Sequence, residues 1–186
     1  MLRYNARQRV WRRHNERYDK DKCQGTVKHD IKIMVWGCFT SKSVGRLVRV
    51  NGIMDQHQYM EILDKNMIPC SKELFGDQHG NATNWYFQQD NDPKHTAKKT
   101  SNWFIEKEVP LMEWPSQSPD LNPIENLWSI LDRRCAKRNP SNADALFEVL
   151  TEAWKEIPEY ILRNLVHSMP TRCAKVIEAN GGLTKY

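Results

Sequence analysis

The apolar residues of this chain change their rhythm along its length. In the first third they form short β-branched and aromatic runs, and in the last third they recur with helical spacing. "IKIMVWGCF" (31–39) predicts a central strand with a bulge at Gly37. "VGRLVRV" (44–50) predicts a second strand, closed by a turn at Asn51 and Gly52. "RQRVWRR" (7–13) places Arg7, Arg9, Trp11 and Arg13 on one face if extended, and reads as an exposed, twisted strand. Met60, Leu63 and Met67 space 57–68 for a helix that stops near Pro69. A polar loop (73–84) follows, then a strand over 84–90 in "NWYFQQD", a helix from Thr96 to Lys107, and a short proline-limited strand in "VPLMEW" (109–114).

Beyond residue 120 the pattern is helical. Ile124, Leu127, Trp128, Leu131 and Cys135 form one stripe. Ala145, Leu146, Val149, Leu150, Ala153, Trp154 and Ile157 form another, which Ile161, Leu162, Leu165, Val166 and Met169 extend. Asn180, Gly181 and Gly182 mark the end of the last helix. Strands first and helices last predict an α/β layer architecture with a mixed sheet flanked by helices. The whole chain, 1–186, reads as one domain with a helical C-terminal part over 140–186, after the break at "KRNPSNAD".

Charge adds a partner class. The net charge is only +5, but residues 1–50 carry 13 Lys and Arg against 4 Asp and Glu. A basic region joined to an acidic remainder suits a polyanion; a solvated surface explains it equally well. Cys23, Cys38, Cys70, Cys135 and Cys173 form no CxxC pair, which favours reduced thiols inside a cell. No apolar run reaches the roughly 18 residues of a membrane span. No Walker-type phosphate loop and no zinc spacing occurs, so neither a nucleotide hydrolase nor a small-molecule enzyme of those kinds is indicated.

Two acidic motifs carry candidate chemistry. As a strand, 84–90 would deliver Asp90 to its C-terminal end, where open α/β sheets bind ligands. Asp92 and His95 follow within reach of the same space. The plainer alternative is an Asx-type turn made by Asp90 and Asp92. In "WPSQSPDLNPIENLW" (114–128), Asn122 reads as a helix N-cap, Pro123 as the first helical residue and Glu125 as the third. Glu125 could bond back to the cap in a capping box, or point inward at a metal.

Together these motifs resemble the Tc/mariner superfamily of transposases, in its nematode Tc-type branch. "QQDNDPKHT" and "SPDLNPIENLW" carry the resemblance, with 34 residues between Asp90 and Glu125. "RQRVWRR", "IMVWGCF", "VGRLVRVNGIMD" and "MPTRCAKVIEANGGLTKY" extend it over nearly the whole chain. The resemblance implies a ribonuclease-H-like fold and an Asp-Asp-Glu metal triad. Asp90 would be the second aspartate and Glu125 the glutamate, binding two Mg²⁺ (or Mn²⁺). Carboxylates suit such hard ions, and two ions can serve both ends of an in-line displacement at phosphorus. Asn91, Asp92 and His95 would support the ligands or touch substrate.

The family's first aspartate lies on an opening strand that precedes the part resembling "RQRVWRR". Only "MLRYNA" stands there, so the expectation is an N-terminally truncated catalytic domain with its first strand missing and its activity impaired. The implied role is metal-dependent DNA cleavage and strand transfer in the nucleus, with DNA as partner, a possible homodimer, and no membrane or small-molecule substrate. Two alternatives stand beside it: an inactive DNA-binding module, using the basic N-terminal half, and a decayed transposon remnant. Arg9, Trp11, Arg12 and Arg13 are the DNA-binding candidates, with packing as the other role for Trp11.

Overall fold

Alternating β-branched residues build a two-stranded antiparallel ribbon, seen in a computed structural model that describes residues 31–77, 84–116, 118–138, 140–182 and 184. β1 (Met34–Phe39) pairs with β2 (Val44–Val50), Met34 opposite Val50 and Gly37 opposite Leu47. The register then slips, and Phe39 faces Val44. A bulge is present as expected, but its extra residue lies on β2, where Gly45 and Arg46 oppose Cys38. Gly37 serves a different need. A Cβ there would stand 3.0 Å from the Trp128 ring and 3.2 Å from the Trp154 ring. Those rings stack with centroids 5.3 Å apart.

The ribbon separates two apolar clusters. Ile33 and Val35 enter the larger one, with Leu127, Leu131, Leu146, Leu150, Trp154 and Leu162. Trp36, of opposite parity, packs on the smaller one, formed by Tyr59, Leu63, Met67, Phe104 and Val109. Helices therefore cover both faces of the strands, which is the α/β layering the sequence pattern predicts. The helical stripes supply the larger cluster. α5 (Pro123–Ala136) buries Leu127, Leu131 and Cys135; α6 (Ala143–Lys155) buries Leu146, Leu150, Ala153 and Trp154; α7 (Glu159–His167) buries Leu162. α8 (Met169–Glu178) ends as predicted, with Asn180 at φ 49° and Gly181 at φ 78°. The Gly181 N–H donates to the Val176 carbonyl at 2.9 Å, satisfying one terminal acceptor.

Several expectations fail locally. The helix predicted to stop at Pro69 does not stop. α1 (Gln56–Ile62) runs through a π-helical turn (Leu63–Met67) into α2 (Ile68–Phe75). Proline has no N–H for the carbonyl four residues back, here that of Lys65. Arg46 Nη1 takes that carbonyl instead, at 3.0 Å, and the wider turn makes room for the ring. Glu73 to Phe75 are thus helical rather than loop.

The strands predicted over 84–90 and 109–114 shrink to a single parallel bridge between Phe87 and Leu111. Phe87 N–H donates to Pro110 O (2.7 Å), and Met112 N–H to Phe87 O (2.9 Å). Extension fails because Asn84 sits at φ 57° and Pro110 has no N–H to offer. The predicted helix from Thr96 divides as well. α3 (Pro93–Thr96) is one turn, Ala97 is extended, and α4 is Lys98–Glu106. Among the described residues, no helix is long and apolar enough to cross a membrane. "RQRVWRR", with Arg9, Trp11, Arg12 and Arg13, lies outside the described residues.

Candidate active site

Asp90 stands just past the Phe87–Leu111 bridge, in a turn that its own neighbours organise. Its Oδ1 accepts from Asp92 N–H at 3.2 Å, so the Asx-type turn of the plainer reading does form. The same oxygen lies 2.6 Å from His95 Nδ1. That bond, with the adjacent positive charge, holds the Asp90 carboxyl below the usual carboxylate range. Asp92 caps α3, accepting from Lys94 N–H at 3.1 Å. Its Oδ2 also meets Lys94 Nζ at 2.5 Å. Burial alone would raise the Asp92 pKa; the bonds from Lys94 outweigh it and lower the value.

The turn is fastened from below by residues that motif reading overlooks. The His95 ring lies 4.0 Å from the Tyr59 ring, centroid to centroid. Tyr59 OH donates to Gln89 Oε1 at 2.6 Å, and Gln89 Nε2 donates to the His95 carbonyl at 3.3 Å. Burial raises the Tyr59 phenol well above its ordinary pKa, and the Asp90 and Asp92 charges add to this, so Tyr59 remains a donor. The one sequence signal for Tyr59 is its position on the apolar face of α1, three and four residues before Ile62 and Leu63, which points to packing rather than to a polar role.

Glu125 is held differently. Asn122 precedes α5 as predicted, and Glu125 is the third helical residue, but the capping box does not form. The Asn122 side chain makes no cap bond, and the Glu125 N–H donates to Asn122 O at 3.2 Å. Among the described residues the Glu125 carboxylate is exposed, with no hydrogen bond or ion pair. It sits in the first turn of α5, where the helix dipole favours negative charge.

What fixes the direction of α5 comes from the far end of the chain. Arg172 of α8 is 3% exposed. Its Nη1 donates to Asp120 O (2.6 Å), its Nη2 to Asn126 Oδ1 (2.7 Å) and its Nε to Ser168 Oγ (2.7 Å). Thr184 Oγ1 donates to Asp120 Oδ2 at 2.8 Å. These bonds pin the turn Pro119–Leu121 and the first turn of α5 to α8.

The two candidate segments are stitched together upstream of Glu125. Beyond the Phe87 bonds, Asn91 Nδ2 donates to Trp114 O at 2.8 Å. Asp90, Asp92, Lys94 and His95 therefore form one cluster, and Glu125 begins the helix that follows the segment stitched to it. As metal donors, the exposed Glu125 and the half-exposed Asp90 offer the hard oxygens that Mg²⁺ or Mn²⁺ prefer. Their chemistry fits a divalent ion, although among the described residues no three His, Cys, Asp or Glu side chains gather as a ready metal cluster.

This combination of layered α/β fold and spaced carboxylates defines a class. Residues 2–147 match the DDE superfamily endonuclease model, and the chain belongs to that family. Its architecture is ribonuclease-H-like. The catalytic domain of Mos1 transposase, solved with raltegravir and Mg, superposes with a TM-score of 0.71 at 15% identity, covering 82% of this chain and 84% of that one. The Mos1 mariner paired-end complex with Mn gives 0.80 at 14% identity, over 96% of this chain and 52% of that one.

Curated relatives are similar in sequence as well. The Tc1 transposase of Caenorhabditis elegans is 51% identical over 162 residues, and the Tcb1 transposase of Caenorhabditis briggsae 49%. These alignments take in 87% of this chain but 57% of either relative, so the chain spans little more than half their length.

Proposed function

We propose that this chain is the catalytic portion of a cut-and-paste DNA transposase, using divalent metal to cut and rejoin phosphodiester bonds in nuclear DNA. The observation that carries the reading is the pairing of a fastened Asp90 turn with an unpartnered Glu125, on segments joined by the Asn91–Trp114 bond. Asp90 and Glu125 are the proposed metal ligands. A divalent ion held there would activate an attacking oxygen and stabilise a leaving one. His95 orients Asp90, and Asn91 holds the adjacent backbone against Trp114. DNA binding and paired subunits are proposed by likeness to Mos1, whose complexes contain paired transposon ends.

A pair of metals needs more ligands than Asp90 and Glu125 offer, so these two, the carboxylates proposed among the described residues, are proposed to hold one ion weakly. The test is Mn²⁺ binding followed by electron paramagnetic resonance, with nicking of supercoiled plasmid in parallel. Asp90→Asn and Glu125→Gln should each abolish the bound-Mn²⁺ signal, while Glu106→Gln should leave it intact. Equal Mn²⁺ binding by all three variants would refute the ligand assignment. Fast nicking by the wild type, lost in Asp90→Asn, would show that another acid completes the set.

A further inference from the structure

We propose that Cys38 and Cys70 form a reversible dithiol–disulfide site, oxidised by exchange with a small disulfide of the glutathione type. The two cysteines come from different elements, Cys38 from β1 opposite the β2 bulge and Cys70 from the first turn of α2. A Cβ on Gly45 would lie 2.5 Å from Cys38 Sγ and 2.9 Å from Cys70 Sγ. Both sulfurs thus crowd one point, and their separation cannot exceed the sum of those distances. Only the missing side chain at Gly45 lets them meet, which gives the bulge a chemical reason for its glycine.

The two thiols are unequal. The contact between the two sulfurs lowers the Cys70 pKa and, with burial, raises that of Cys38. Cys70 also lines an open cavity of about 450 Å³ beside Arg46, Asn66, Glu73 and Lys155. Arg46 further favours the Cys70 thiolate, and the cations Arg46 and Lys155 suit the carboxylates of a glutathione. Cys135 is unlike Cys70, because burial pushes its thiol up to about 11.

The chemistry balances in two exchanges. Cys70 thiolate attacks one sulfur of glutathione disulfide, forming a mixed disulfide and releasing one glutathione thiolate, which takes up the proton Cys70 gave to solvent. Cys38 then loses its proton and attacks Cys70 Sγ. The Cys38–Cys70 bond forms, and the second glutathione leaves as its thiol. Two protein thiols are oxidised and one glutathione disulfide is reduced; excess glutathione runs both steps backward.

The experiment equilibrates the full chain in glutathione buffers of graded ratio, quenches by alkylation and maps peptides by mass spectrometry. A Cys38–Cys70 cross-linked peptide should appear, with both thiols lost together. Exposed Cys173 serves as the independent thiol. Cys38→Ser should stop with glutathione on Cys70, and Cys70→Ser should leave Cys38 unmodified. Gly45→Ala should remove the cross-link in chain that circular dichroism shows to be folded. Should that variant not fold, the wild-type map and the serine variants decide. The proposal falls if Cys173 takes glutathione while no cross-linked peptide forms at any ratio. It falls equally if Cys38 in Cys70→Ser reacts as fast as Cys70 in Cys38→Ser, or if folded Gly45→Ala cross-links at wild-type yield.

Discussion

Asp90 and Glu125 are the two proposed metal ligands, and the fold holds them by opposite means. Asp90 is fixed locally: His95 Nδ1 and Asp92 N–H both bind its Oδ1, and Tyr59 and Gln89 brace the same turn. Among the described residues Glu125 has no side-chain partner, and its direction is that of α5, which Arg172 anchors from α8 through Asp120 O and Asn126 Oδ1. One carboxylate is oriented by bonds to itself, the other by bonds to the helix that carries it. The two halves should therefore respond differently to substitution.

The largest effect should come from the remote anchor. Arg172→Met removes a buried guanidinium and leaves Asp120 O and Asn126 Oδ1 without their donors. One buried and one half-buried acceptor losing a charged partner should cost about 3 kcal/mol. For a chain of this size that lowers the thermal midpoint by about 6–12 °C. A scan by differential calorimetry measures it, and a shift below the value for Asp90→Asn would show that α5 is held by its own packing rather than by α8.

How much of this contrast could be read from sequence follows the range of the interactions. Leu127, Leu131, Leu146, Leu150 and Leu162 are buried as their spacing predicts, because helical periodicity is a local property. β2 runs from Val44 to Val50 as predicted, for the same reason. Pro69 misled because its helix is rescued by Arg46, nineteen residues away, at the Lys65 carbonyl. The stretch 84–90 misled because a β-prone run makes a strand only with partners, and Phe87 finds one bridge. Asp90 and Glu125 were visible as motifs. The capping-box role of Glu125 was equally plausible in sequence and does not occur in the structure. Arg172, buried among polar groups of the 118–126 segment, had no local signature at all.

On the locally fixed side, Asp90→Asn keeps an acceptor for Asp92 N–H but gives up the charge facing His95. Asp90 is half-exposed and water screens its charge, so the loss should stay below about 1 kcal/mol. Urea unfolding at neutral pH measures it. A loss above that of Arg172→Met would invert the comparison. A third acid sharpens the same point. Asp132 on α5 has a buried Oδ1 with no hydrogen-bond partner among the described residues, and burial raises its pKa. The folded chain then binds a proton more tightly than the unfolded one. Its contribution is present below the ordinary carboxylate pKa of about 3.9 and is lost as pH rises through the raised folded value. Asp132→Asn should therefore stabilise the chain slightly at pH 7, and the gain should vanish in acid. Equal gains at pH 7 and in acid would mean that Asp132 is not buried as a charge.

The smallest effect on stability should be that of Glu125→Gln, and it is the most informative. The carboxylate makes no bond within the described protein and sits exposed on the first turn of α5. Removing its charge forfeits only a dipole interaction, about 0.3–0.5 kcal/mol, comparable to other exposed substitutions. A residue kept for folding would show its loss in the unfolding midpoint. A residue kept for a metal ion would show it only when the ion is added. In the absence of metal, wild type and Glu125→Gln should unfold together within that margin. With Mn²⁺ in excess, the wild type should gain stability through binding to the folded state while the variant gains none. If both gain equally, Glu125 is not a ligand, and its freedom from partners is simply that of a surface glutamate.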